Sequence, residues 1–189
     1  MLNDDQIFVI VDIEADGPTP GLFSMLSIGA VATTKDAEVS RFYRKILPLK
    51  EAGQNPNTMN WWNTQPEAWA EVTANAENPE VVMGDFSDWL NMLGKKPVFV
   101  AHPIAFDYTF VSWYLYKYVG KNLFTNSKDD PRTLDLKSYI SAKYSTTIDD
   151  ASVSNLPKAL HEGAPKHSHK SIDDAIGYAF VLRNILKDS

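Results

Sequence analysis

The stretch FVIVDIEADGPTP, residues 8–20, ends an apolar run with two carboxylates, Asp12 and Glu14, two positions apart. Residues i and i+2 of a strand share a face, so these acids sit roughly 6–7 Å apart along the backbone and point the same way. Like charges placed so closely repel unless a proton or a cation lies between them. A hard divalent metal with oxygen ligands, Mg²⁺ or Mn²⁺, answers that repulsion. The plainer alternative is that both acids simply end the strand and hold the DGPTPG turn.

Two further places carry acids of interest. In VFVAHPIAFDYTF, Asp107 falls in the first turn of an apolar helix, where the helix dipole favours a negative charge in any case. In KHSHKSIDDA, residues 166–175, Asp174 follows a loop holding His167 and His169. Ser171 and Asp174 have the S-x-x-D spacing of a capping box, which is a sufficient structural reason for that acid. The chain has no cysteine, so thiol nucleophiles, thiolate zinc sites and disulfides are excluded.

The elements that must position these residues can be sketched from pattern. Residues 7–11 are five consecutive apolar residues, suited to a strand buried on both faces. MLSIGAVAT (25–33) and RFYRKILPL (41–49) read as two more strands across the polar KDAE turn, giving an antiparallel meander of three. Helical spacing is expected in MNWWNTQPEAWAEVT, with Pro66 in a first turn, and in VVMGDFSDWLNML (81–93). PVFVA (97–101) is a short strand and FDYTFVSWYLYKYV (106–119) an apolar helix. A polar loop over 120–132 precedes three helices in LDLKSYISAKY, LPKALHEG and DDAIGYAFVLRNILK. The expected fold is α/β, a mixed sheet flanked by helices, in one domain over residues 1–189.

Taken in order, VDIEADG, AHPIAFD and HKSIDDA resemble the motifs of the DEDDh 3′→5′ exonucleases of the ribonuclease H-like superfamily, which include ribonuclease T, oligoribonuclease and polymerase proofreading domains. The resemblance spans residues 7 to about 180, and SIGAVA, FYRKI and MNWWNTQPEAW are similar to the branch related to mycobacterial 3′-exoribonuclease. It implies a ribonuclease H-like fold in which Asp12, Glu14, Asp107 and Asp174 ligate two divalent cations, Mg²⁺ or Mn²⁺. It also implies that His169 takes the proton of the attacking water, His167 lying too far from Asp174 in sequence for the family spacing. Two positions depart from the pattern. Pro103 stands where many relatives have asparagine, and Arg132 where many have an acid, so substrate choice is affected rather than metal binding.

The implied reaction is hydrolysis of single-stranded RNA or DNA from a free 3′ end, releasing nucleoside monophosphates, with RNA slightly preferred. Ala15 and Asp16 would meet the terminal hydroxyl, and Leu22, Met25, Trp61 or Trp62 would stack on bases, a contact tolerant of sequence. The rival readings are a binding module that has lost the chemistry and a phosphodiesterase acting on very short oligonucleotides. The net charge of −6 argues against holding nucleic acid through a basic surface; cations at the acids remove that objection. The acidic start MLNDDQ and the five-residue IFVIV run are neither a signal peptide nor a membrane span, so a cytoplasmic protein with no membrane partner is expected. Several relatives are homodimers, which extends to this chain as an expectation.

Overall fold

The computed structural model describes residues 3–165 and 167–188. Its centre is a five-stranded sheet of β1 (Gln6–Ala15), β2 (Met25–Thr33), β3 (Glu38–Lys45), β4 (Lys96–Ala101) and β5 (Thr133–Asp135), in the order β3-β2-β1-β4-β5. The first three strands form the expected antiparallel meander, while β1–β4 and β4–β5 are parallel pairs. The helices are α1 (Pro56–Trp62), α2 (Pro66–Thr73), α3 (Pro79–Met92), α4 (Ile104–Val119), α5 (Leu136–Tyr144), α6 (Lys158–His161) and α7 (Ser171–Lys187). No helix among the described residues is long and apolar enough to cross a membrane.

The side-chain alternation of β1 divides the interior in two. Ile7, Val9, Val11 and Ile13 pack with Val82, Phe86 and Leu90 of α3 and Phe110, Val111 and Tyr114 of α4. Phe8 and Ile10 point the other way, among Leu136 and Ile140 of α5 and Ala175, Ala179, Leu182 and Ile185 of α7. With both faces covered, the strand needs an unbroken apolar run until the layer ends, and Asp12 and Glu14 are the first even positions beyond it. They therefore belong to the α7 face.

Several boundaries differ from the sequence reading. β3 starts at Glu38 and stops at Lys45, whereas 41–49 was the expected span. Glu38 pairs with Thr33, and Pro48 has no N–H to extend a ladder. β5, a three-residue strand, was hidden in what reads as helix; Asp135 ends it and caps α5 by accepting from Ser138 N. Pro66 opens α2 as expected, and Pro56 and Pro79 open α1 and α3 in the same way, at positions where a missing N–H costs nothing.

The Arg132 guanidinium is committed to the fold. It donates to the carbonyls of Pro97, Thr125 and Leu123 and so ties the polar 120–132 loop to the start of β4.

Candidate active site

β1 outruns its parallel neighbour. Its pairing with β4 ends at Ile10 and Val100, so the N–H of Ile13 has no ladder partner on that side. The Asp107 carboxylate, in the first turn of α4, accepts this N–H at 2.9 Å. Asp107 is thus pinned between Asp12 and Glu14 in sequence, from the opposite layer.

Asp174 arrives from α7 through a close approach. Asp12 faces Gly29 of β2. A Cβ on Gly29 would stand 2.3 Å from Ile172 N and the Ser171 carbonyl carbon, so only glycine lets the start of α7 lie on β2. Ser171 is not a cap: α7 has no side-chain capping bond, and the Ser171 hydroxyl pairs with Ser27 Oγ at 2.9 Å. The capping-box account of Asp174 is therefore set aside. Its carboxylate instead accepts from Ser168 N at 3.0 Å through Oδ1.

The result is that carboxylate oxygens of Asp12, Glu14 and Asp174 lie within 4.8 Å of one another. Asp12, Glu14 and Asp107 line one cavity of about 340 Å³, together with His102, Phe106, His169 and Tyr178. Burial pushes Asp12 well above the ordinary carboxylate range, and the charges of Asp107, Glu14 and Asp174 push it further. Glu14 rises to about 9, through burial and then Asp174 and Asp107. Asp107 rises to about 7 through burial, against the pull of its bond from Ile13. Buried acids in this state call for protons or cations.

One atom marks where a cation fits. Asp174 Oδ2 is buried and has no hydrogen bond among the described residues. His167 Nδ1 comes within 2.9 Å of it, at ion-pair distance but without hydrogen-bond alignment. A buried carboxylate oxygen without a hydrogen bond, facing two more carboxylates, is a donor set made for hard divalent ions. Asp12, Glu14, Asp107 and Asp174 fit such ions by charge, atom type and convergence.

Both loop histidines reach the site. Their rings are 4.5 Å apart, and His167, His169 and Asp174 form a second close group of donor atoms. The short contact with Asp174 holds His167 above its ordinary pKa. Burial lowers that of His169, as does the charge of His167. His169 has a left-handed backbone (φ 57°) and sets its ring edge-on to Trp61, 4.8 Å between centroids.

The expected base-stacking set is reduced. Met25 is fully enclosed and its N–H donates to Tyr114 Oη. Trp62 is also enclosed, and its indole N–H donates to the carbonyl of Ala15. Asp16 is buried too: its N–H donates to Ser24 O, its carbonyl accepts from Asn55, and its carboxylate accepts from Ser24 N. These three, with the Ala15 carbonyl, fasten the turn after β1 instead of offering it to a ligand. Leu22, 66% exposed, and Trp61, 38% exposed, remain open. Phe106, His102 and Tyr178 line the acid cavity without having been singled out from sequence. Phe106 had a signal, as the apolar residue next to Asp107 on the exposed side of a helix start. Tyr178 had one too, a single turn after Asp174.

A central mixed sheet whose first strand delivers two acids, met by one acid from each flanking layer and by loop histidines, defines a DEDDh 3′→5′ exonuclease. Known structures share this architecture. The nuclease domain of 3′hExo, a DEDDh family member bound to rAMP, superposes with a TM-score of 0.71 at 12% identity over 97% of this chain and 92% of that one. E. coli Exonuclease I in complex with a dT13 oligonucleotide gives 0.72 at 15% identity, over 96% of this chain and 41% of that one. By sequence, residues 7–186 match the model of the Rv2179c-like 3′-5′ exoribonuclease domain, and the chain belongs to that family. It is 33% identical over 141 residues to the E. coli 3′-5′ DNA exonuclease Cap18, covering 73% of this chain and 70% of that protein. It is 27% identical over 171 residues to the PolC-type DNA polymerase III of Thermotoga maritima, covering 90% of this chain and only 11% of the polymerase. The chain is accordingly a 3′-5′ exonuclease, of a class that depends in general on divalent metal ions.

Proposed function

We propose that the protein hydrolyses single-stranded nucleic acid from a free 3′ end and releases nucleoside monophosphates, using two Mg²⁺ or Mn²⁺ ions. The observation that carries this reading is the convergence of Asp12, Glu14 and Asp174, whose Oδ2 has no hydrogen bond among the described residues, with Asp107 locked beside them. Divalent ions held by these four carboxylates would stabilise the charge that develops on the attacking and leaving oxygens of an in-line displacement at phosphorus. His169 receives the proton of the attacking water on an imidazole nitrogen. Its lowered pKa favours the neutral, accepting ring, whereas His167 is held towards the charged form by Asp174. Phe106, which lines the acid cavity, and Trp61, edge-on to His169, would give the terminal nucleotide apolar faces, and exposed Leu22 is the third candidate.

The sugar preference draws support from two directions. The family is described as exoribonuclease, which supports RNA slightly ahead of DNA, while the 33%-identical relative is a DNA exonuclease, which supports the reverse. A cytoplasmic location and a homodimer complete the proposal. The test is digestion of matched 5′-labelled RNA and DNA single strands with Mn²⁺, Mg²⁺ or chelator. A ladder shortening from the 3′ end, with monophosphate products and no reaction in chelator, is expected. Absence of monophosphates from both strands in either metal would overturn the reading.

A further inference from the structure

A second cavity, of about 450 Å³, lies across the His102–Tyr178 pair from the acid cavity. The two rings stack at 5.1 Å and 21°, and His102 Nε2 sits 2.9 Å from Ala151 O, which fixes the pair. His102, His167 and Tyr178 line both cavities, and Asp174 lines the second one as well as the acid cluster. A strand whose terminal nucleotide lies against Phe106 and His169 in the acid cavity, with its phosphate at the acids, would continue into this space.

Gly177 is the telling residue. It sits inside α7, where glycine is disfavoured relative to alanine. Among the described residues packing does not demand it: a Cβ there would meet Pro165 O, at an ordinary 3.5 Å. Its φ is not left-handed either. It lines the second cavity together with Ser152, Val153 and Ser154, and adds no side chain to that wall.

Resting on the exonuclease reading above, we infer that this cavity holds the nucleoside on the 5′ side of the scissile phosphate, with Gly177 as the residue that keeps it open. Its volume lies in the range of small-molecule sites. Val153 and Pro165 offer apolar faces, while Ser152, Ser154 and His161 offer hydrogen-bonding groups at its edge. The water oxygen bonds to phosphorus, the phosphorus–O3′ bond of this nucleoside breaks, and O3′ leaves as an alcohol after taking a proton from solvent. The cavity thus orients the leaving group, which becomes the next 3′ end.

The test compares two substrates on the full chain with Mn²⁺: a single-stranded oligonucleotide and the 4-nitrophenyl ester of thymidine 5′-monophosphate, which has no nucleoside on the leaving side. Gly177→Phe and Ser154→Trp fill the cavity from two separate segments of its lining, and Gly177→Ala is the folding control. In both filled variants the ratio of kcat/KM for oligonucleotide to that for ester is expected to fall about ten- to a hundredfold, the worth of one base contact. If the ratio stays at the wild-type value in both, or both substrates decline in parallel, the cavity is no subsite. A wild-type chain inactive on both substrates would instead remove the exonuclease reading, and the subsite with it.

Discussion

Asp12 faces three other carboxylates in a half-buried setting, so its charge is held against its surroundings. Replacing it tests the cost. Asp12→Asn is expected to raise the melting temperature of the metal-free protein at about pH 8, while turnover falls on the order of 10²–10³-fold. Thermal melts beside a nuclease assay check both halves; a destabilised variant would mean that Asp12 is structural. The same electrostatics give a pH dependence whose sign is fixed. Glu14 at about 9 and Asp107 at about 7 keep protons in the folded chain that the unfolded chain has already lost. Their contribution to stability is complete below the ordinary carboxylate range and is lost as pH rises through those raised values. In chelator, the protein should melt at a lower temperature at about pH 8 than at about pH 5. Added Mn²⁺ should recover the loss, and most at the higher pH. For the proposed proton acceptor, His169→Ala is expected to slow turnover by about 10²–10⁴-fold, with the fold intact by circular dichroism. A larger loss in His167→Ala than in His169→Ala would exchange their roles.

At the scale of elements, the site depends on how tightly α7 lies on β2. Gly29→Ala places a methyl against the backbone of Ser171 and Ile172, and the helix must lift. The expected cost is about 1–3 kcal/mol of stability, read by denaturant melts, with activity lost even where the fold survives. Full activity in Gly29→Ala would show that α7 can shift without moving Asp174. This contact also shows the limits of the sequence. Gly29 is one small residue in MLSIGAVAT, and nothing local says that a helix from the other end of the chain crosses there. The three-residue β5 was illegible for a similar reason: it is held by pairing with β4 rather than by its own pattern. By contrast, β1, β2 and α4 were legible, because a buried run or an apolar helix writes its periodicity into consecutive residues. Trp61 and Trp62 could be told apart only by the fold, since adjacent helical positions face different ways and either could have been the one that packs.

Across the whole molecule, the charge of −6 and the acid cluster would make divalent cations the link to a polyanion under the proposed function. Strand binding is therefore expected to vanish in chelator and, with Mn²⁺ present, to weaken less with added NaCl than for a protein that neutralises many phosphates itself. Fluorescence anisotropy across a salt series measures this, and strong binding in chelator would reveal a basic track. That the four acids and the loop histidines come together was readable, because each motif places its residue at the end of an element and the three motifs keep their order. The wall around them was not. Phe106, Tyr178 and His102 become neighbours only once the helical layers close on the sheet.

The bond from Ile13 to Asp107 joins a main-chain group of the first strand to a carboxylate 94 residues later. Because the donor exists only where β1 runs past the end of β4, slipping that pair by one residue would offer Asp107 a different N–H and turn Asp12 and Glu14 to the wrong layer. A misregistered chain would therefore lack the site altogether instead of having a weakened one. The acid cluster is assembled only in molecules whose parallel strands are correctly aligned.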